Sequence, residues 1–363
     1  MKIKKENGIS VINIILLIFI IVAGVIIYIF ITSNNNSNLS SATNDVTVYN
    51  TQSPVSENRT GNESKYNTTL TNSVLSSNTE PEIDYNRYYY KQLDSTTKDI
   101  YNSIVNNISA FKNGYDKILV TKSNEDLDLK FQTCWDAFSL DRPDVFYVDT
   151  NKISLMTQTS KSLMGATYEY SIQPQQGDNY FIKTWNNKLE VASAISQVEN
   201  ATTSIADKTA VLSENYNKIK FVHDYLVDNI VYDKTNDPNN SDIYGALVKG
   251  VAVCEGYANA FKHVMDKIGI PCVVVCGEGI TDDGDSESHA WNYVMMDDGN
   301  WYAVDVTWDD PIIIGSGTIP DSVKYRYFLV GTENFSSAHR EDGDVSGTGQ
   351  NFKYPTLSAS DYR

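Results

Sequence analysis

Residues 11–31 read VINIILLIFIIVAGVIIYIFI, 21 positions broken only by Asn13 and Gly24. At 1.5 Å per residue a helix of this length spans the ~30 Å hydrocarbon layer of a bilayer, so the globular fold must be built from residues C-terminal to it. The run exceeds the roughly 7–15 residues of a secretory apolar region, and no A-x-A site comes after it, which predicts an uncleaved transmembrane signal-anchor. Lys2, Lys4 and Lys5 precede the run and no lysine lies soon after it, placing residues 1–10 in the cytoplasm and the rest outside the cell. Residues 32–80 are rich in Ser, Asn and Thr and poor in apolar side chains. Such a tract cannot offset its chain entropy by burial and is expected to be a disordered stalk.

From residue 81 the pattern becomes globular. With 46 acidic and 29 basic residues the net charge is −17, which excludes a nucleic-acid partner because phosphate binding needs a basic surface. Apolar spacing predicts helices over 92–113, 124–139, 184–201 and 205–231, and alternation predicts strands from Val145 through 153–157 and 166–172. His223, inside the last of these helices, reads as a packed or solvated residue. We divide the globular part into an accessory α/β region, 81–204, and a second domain, 205–363.

The chemistry concentrates after residue 243. In YGALVKGVAVCEGYANAF (244–261), Cys254 precedes apolar positions Tyr257, Ala258, Phe261, Val264, Met265 and Ile268 at helical spacing, with Gly269 and Pro271 as stops. Cys254 therefore lies at a helix N-terminus. There the macrodipole and unpaired N–H groups favour a thiolate and could hold an oxyanion formed by attack on a carbonyl. The remaining cysteines, Cys134, Cys272 and Cys276, read as small core residues. Cys272 and Cys276 on one strand stand roughly 13 Å apart, beyond disulfide reach, while pairing to Cys134 or Cys254 stays open. No metal or cofactor is expected, because a C-x₃-C spacing with scattered histidines does not make a zinc site.

Two strands come next, SHAWNYVMM (288–296) and NWYAVDVTW (300–308), joined at Asp297-Asp298-Gly299. A two-residue turn would pair His289 with Trp308 and put Asp305 on the opposite face. A three-residue turn, with Gly299 left-handed, pairs Met296 with Asn300 and makes His289 and Asp305 diagonal neighbours, ~7–8 Å apart at the backbone. A Cys254–His289–Asp305 triad requires the second register. In such a triad the imidazole takes the thiol proton and the carboxylate orients the ring.

YGALVKGVAVCEG, SHAWN and WYAVDVTWD together resemble the transglutaminase-like superfamily, in particular its membrane-anchored or secreted bacterial members. The lead-in HDYL (223–226) with VYD (231–233) is also similar, and the likeness spans about 205–335. It implies an α+β fold with a papain-like core, the nucleophile helix packed on an antiparallel sheet. It further implies Cys254 as nucleophile, His289 as base and Asp305 as the orienting acid. Family members include protein cross-linkers, peptide hydrolases, amidases and inactive scaffolds, so transamidation and hydrolysis both stay open. Calcium dependence is not carried over, since the acidic loop 282–287 lacks an EF-hand pattern and reads as a solvated connection.

Tyr244 is a candidate second oxyanion donor or a packing residue. Trp291 and Trp308 are candidates to line an acyl-donor cleft or to pack the hairpin. The strand 325–330 completes the sheet, and His339 lies in a polar tail with no expected role. The expected activity is thiol-dependent acyl chemistry on peptide or glutamine amides outside the cell, with a protein or peptide substrate at the cell surface or cell wall. Two other readings remain: an inactive surface scaffold or adhesion module, and a processed filament subunit. The filament reading comes from Gly8-Ile9-Ser10-Val11, which resembles a prepilin-type cleavage site although Asn13 replaces its glutamate; the mature chain would then begin at Ile9.

Overall fold

A computed structural model describes residues 87–124, 127–175, 177–281, 284–310, 320–346 and 351–363. The apolar run 11–31, the tract 32–80 and the cleavage motif lie outside the described residues, as do Asp282 and Asp283 of the acidic loop. Among the described residues no helix is long and apolar enough to cross a membrane.

The accessory region opens with helices α1 (Ser95–Asn106) and α2 (Ile108–Asn113), where one helix over 92–113 was expected. Asp94 caps α1 by accepting from the Thr97 N–H at 2.8 Å, and Ile100, Tyr101 and Ile104 bury one face. The chain then forms β1 (Ile118–Ser123), α3 (Asp128–Asp141), β2 (Ile153–Ser162) and β3 (Gly165–Pro174). The three strands form an antiparallel sheet in the order β1-β3-β2. The strand expected from Val145 does not form: 143–145 are a 3-10 turn, the N–H groups of Val145 and Val148 turn back to the carbonyls of Arg142 and Val145, and Val148 makes only an isolated bridge with Phe181.

Helix α4 (Lys188–Thr209) runs straight through the expected 204/205 boundary. The described residues, from 87 onwards, belong to one compact unit, and Tyr89 from the first described turn donates its hydroxyl to the Val274 carbonyl in the second half. Helix α5 (Asn215–Asn229) leads to β4 (Val231–Tyr232), which pairs in parallel with β5 (Val251–Ala252). Helix α6 (Cys254–Lys267) begins directly after β5.

Strands β6 (Cys272–Ile280), β7 (Ser286–Met295), β8 (Trp301–Val304), β9 (Phe328–Val330) and β10 (His339–Glu341) build a five-stranded antiparallel sheet in the order β10-β6-β7-β8-β9. Among the described residues between β8 and β10 lie two one-turn helices, α7 (Asp321–Lys324) and α8 (Thr332–Phe335). The apolar face of α6, with Tyr257, Phe261, Val264 and Met265, buries against Cys272, Val294 and Val304 of this sheet. The Asn292 side-chain amide donates to the Ala258 carbonyl at 3.0 Å and pins helix to sheet. The architecture is α+β, with the helix that begins at Cys254 packed on an antiparallel sheet, as the sequence predicts. The sheet's second edge, β10, has no counterpart among the sequence-based expectations.

Candidate active site

Cys254 is the first residue of α6 and is half-buried. Val253, the residue before it, is extended and supplies no capping side chain, so the first-turn N–H groups have no side-chain partner there. The helix start is pressed against the preceding loop: the Val253 N–H donates to the Asn240 carbonyl at 2.8 Å. A Cβ added at Gly256 would stand 2.3 Å from that same oxygen, so only glycine permits this approach. Tyr232, on β4 beside β5, shares the neighbourhood of the thiol. Burial raises its phenol to about 12, with Cys254, Glu287 and Asp233 adding to the shift.

The hairpin takes the three-residue turn. Met295 pairs with Trp301 and Asn292 with Val304, and the Met296 N–H donates to the Asn300 carbonyl at 2.9 Å. Gly299 is left-handed with φ +79°. Extending this register sets Trp291 opposite Asp305, and the two candidate side chains meet as it requires: His289 Nε2 donates to Asp305 Oδ2 at 2.7 Å. Asp305 Oδ1 accepts from the N–H groups of Thr307 and Trp308 at 3.0 and 3.1 Å.

This geometry sets the electrostatics. Burial pulls the His289 imidazole down, but the Asp305 charge and hydrogen bond outweigh it. Together with the nearby Cys254 sulfur, they raise it to about 10. Burial pushes the Asp305 carboxyl up, yet the two imidazoles beside it hold it well below the usual carboxylate range. Nε2 of His289 therefore serves the carboxylate, and Nδ1 is the ring nitrogen not bonded to Asp305.

A third group, absent from the expectations, completes the cluster. His339, expected in a polar tail, is 4% exposed and its Nε2 donates to the same Oδ2 of Asp305 at 2.8 Å. It sits on β10, whose pairing with β6 places His339 opposite Gly279 and Glu341 opposite Gly277. On the other side of β6, Gly277 pairs with His289. A Cβ at Gly279 would lie 2.6 Å from the Trp308 ring, and one at Gly277 would lie 2.8 Å from Trp291. Two side-chain-free positions on the intervening strand thus clear the sheet face for both indoles and both imidazoles.

Trp308, half-buried, stacks on His289 with centroids 4.8 Å apart. Trp291 is 1% exposed and packs edge-on against His339 and Phe335, so it is a core residue and cannot line a cleft. Tyr244 is likewise taken up by packing, stacked with Phe146 at 6.1 Å and edge-on to Trp185 at 5.3 Å. His223 is buried, with Nδ1 3.1 Å from Asp224 Oδ1 and Nε2 3.1 Å from Asp309 Oδ2. All four cysteines are free.

His289, Asp305 and His339 offer ligand atoms within 4.8 Å of one another. The 2.7 and 2.8 Å nitrogen–oxygen separations are shorter than the ~3.3 Å edge of a tetrahedron with ~2.0 Å metal bonds. The spacing of the three groups is that of hydrogen bonds.

Residues 203–306 match the family model of the transglutaminase-like superfamily. Among solved structures the chain is similar to a TGase (18% identity, TM-score 0.29), covering 58% of this chain and 59% of that one. It is also similar to the periplasmic domain of TgpA from Pseudomonas aeruginosa bound to ethylmercury (15%, 0.25), covering 42% and 65% respectively. A third similar structure is a candidate cysteine protease from Cytophaga hutchinsonii (12%, 0.27), covering 44% and 68%. No curated protein sequence matches this chain.

Proposed function

We propose that this member of the transglutaminase-like superfamily, its family segment being residues 203–306, is a thiol-dependent enzyme whose Cys254, His289 and Asp305 carry out acyl chemistry on peptide or glutamine amides. The observation that carries the reading is the 2.7 Å bond from His289 Nε2 to Asp305, which leaves the other ring nitrogen to the thiol of Cys254.

In the first half-reaction the Cys254 proton passes to His289 Nδ1 and the sulfur attacks the amide carbon. The N–H groups at the uncapped start of α6 face the developing oxyanion. His289 returns its proton to the leaving nitrogen, and a thioester remains on Cys254. Asp305 keeps the ring in the tautomer with Nε2–H and stabilises its charged form. An amine then resolves the thioester by transamidation, or water by hydrolysis. With residues 11–31 as a membrane span, the domain would stand outside the cell and meet surface or cell-wall proteins.

The test is to incubate the full chain with a glutamine-bearing protein and a labelled primary amine, and to read products by mass spectrometry. Amine conjugates mark transamidation, whereas glutamate or cleaved peptide marks hydrolysis. Either must vanish in Cys254→Ala. A surface scaffold predicts no product with any amide, and that result overturns the reading.

A further inference from the structure

Oδ2 of Asp305 receives two imidazole donors, His289 at 2.7 Å and His339 at 2.8 Å, while Oδ1 receives two backbone N–H groups. Only the first of these four bonds belongs to the triad. The Oδ1 pair fixes one end of the carboxylate as a pivot, and the bond from His339 closes on the other end from the far side. With both donors in place, the two lone pairs of Oδ2 are spent and the carboxylate plane is set.

Packing alone does not account for a histidine here. The His339 ring lies parallel to Phe335 at 3.9 Å and is edge-on to Tyr327 and Trp291 at 4.9 and 5.0 Å. Its Nδ1 lies towards the Phe335 backbone but makes no hydrogen bond of ordinary geometry. A buried unpaired nitrogen costs stability, and a phenyl ring would fill the same aromatic cage without that cost. What the imidazole offers is the Nε2–H donor.

We propose that His339 is a positioning residue of the active site, a second donor that holds Oδ2 of Asp305 on His289. Burial pulls its titration down against the attraction of Asp305, so it donates without cancelling the charge that His289 needs. Without it, Oδ2 keeps one donor and is free to turn away, and the imidazolium that pairs with the thiolate loses its partner for part of the time. This role presupposes the Cys254–His289–Asp305 triad proposed for the enzyme.

The test compares two substitutions in the full chain by the rate of iodoacetamide alkylation at Cys254, located by peptide mass, at pH 7. His339→Phe keeps the ring and removes the donor. His339→Gln removes the ring and keeps an N–H near the Nε2 position. A positioning role predicts alkylation slowed about tenfold in the Phe variant, the worth of one hydrogen bond to a charged group, and within about threefold of wild type in the Gln variant. A packing role predicts the reverse order. Equal rates in the two variants, or a faster Phe variant, overturn the proposal. If His339→Phe does not fold, the flexible apolar His339→Met takes its place in the comparison. His289→Ala, run alongside, separates the two claims. A rate unchanged by His289→Ala refutes the triad itself, whereas a rate lowered by His289→Ala but not by His339→Phe refutes only the role of His339.

Discussion

Met296 and Asn300 face each other across a three-residue turn, the Met296 N–H donating to the Asn300 carbonyl at 2.9 Å. That pairing decides which face Asp305 occupies. One residue fewer in the turn would swing it to the other side of the sheet and break the 2.7 Å bond from His289.

Gly299 closes the turn with φ +79° and has no heavy atom within 4 Å of an added Cβ. The cost of Gly299→Ala is therefore purely conformational, about 1 kcal/mol, and Gly299→Asn should recover part of it because asparagine tolerates the left-handed region. Chemical denaturation of both variants checks this. Equal stability of Ala and wild type would contradict the left-handed turn.

Gly279→Ala places a methyl 2.6 Å from the Trp308 ring and 3.3 Å from the His289 Cβ. The indole must leave its stack on His289, with a loss of about 1–3 kcal/mol and slower alkylation at Cys254. Near-UV circular dichroism reports the movement of Trp308. Gly277→Ala should cost more, because its methyl would also meet the Arg340 carbonyl at 2.1 Å, which is backbone and cannot swing aside.

Asp305→Asn keeps the volume and removes the charge. Both carboxylate oxygens accept from two donors, and an amide accepts on one side only, so either the imidazoles or the backbone N–H pair must face an NH₂ group. Alkylation of Cys254 at neutral pH is expected to fall by about two orders of magnitude or more. A rate within threefold of wild type would remove Asp305 from the triad.

The His289–Asp305 pair also sets a pH window of stability. His289 is raised from an unfolded value of ~6.5 to about 10, so its contribution is complete below ~6.5 and is lost as the pH rises towards 10. Asp305 is held below its usual range, so its contribution is present above ~3.9 and is lost as the pH falls further. The stability gap between wild type and His289→Gln should be widest between about pH 4 and 6.5 and narrow on both sides. Thermal unfolding across this range measures it, and a gap that ignores pH would contradict the ion pair.

Much of the site is legible locally. Apolar spacing and the Gly269-x-Pro271 stop set a helix starting at Cys254, and counting residues around one turn leaves two registers, of which only the three-residue turn makes the His289–Asp305 contact. His339 is not legible in this way, because β10 is three residues long, carries Arg340 and Glu341, and takes its place only through pairing with β6 across Gly277 and Gly279. The packing of Tyr244 is not legible either, for the same reason: Phe146 and Trp185, which its ring contacts, come from 98 and 59 positions upstream. The accessory region is not separable by pattern either, since α4 runs through the expected boundary at 204/205.

The most direct test of the triad is the rate of iodoacetamide alkylation of Cys254 from pH 4 to 9, in the full chain and in His289→Ala. A thiol paired with His289 predicts rapid alkylation persisting through neutral into mildly acidic pH in wild type. In His289→Ala that reactivity should be lost, leaving reaction only as an ordinary thiol ionises, above about pH 8. Superimposable profiles, or a Cys254 that reacts only after unfolding, would contradict it.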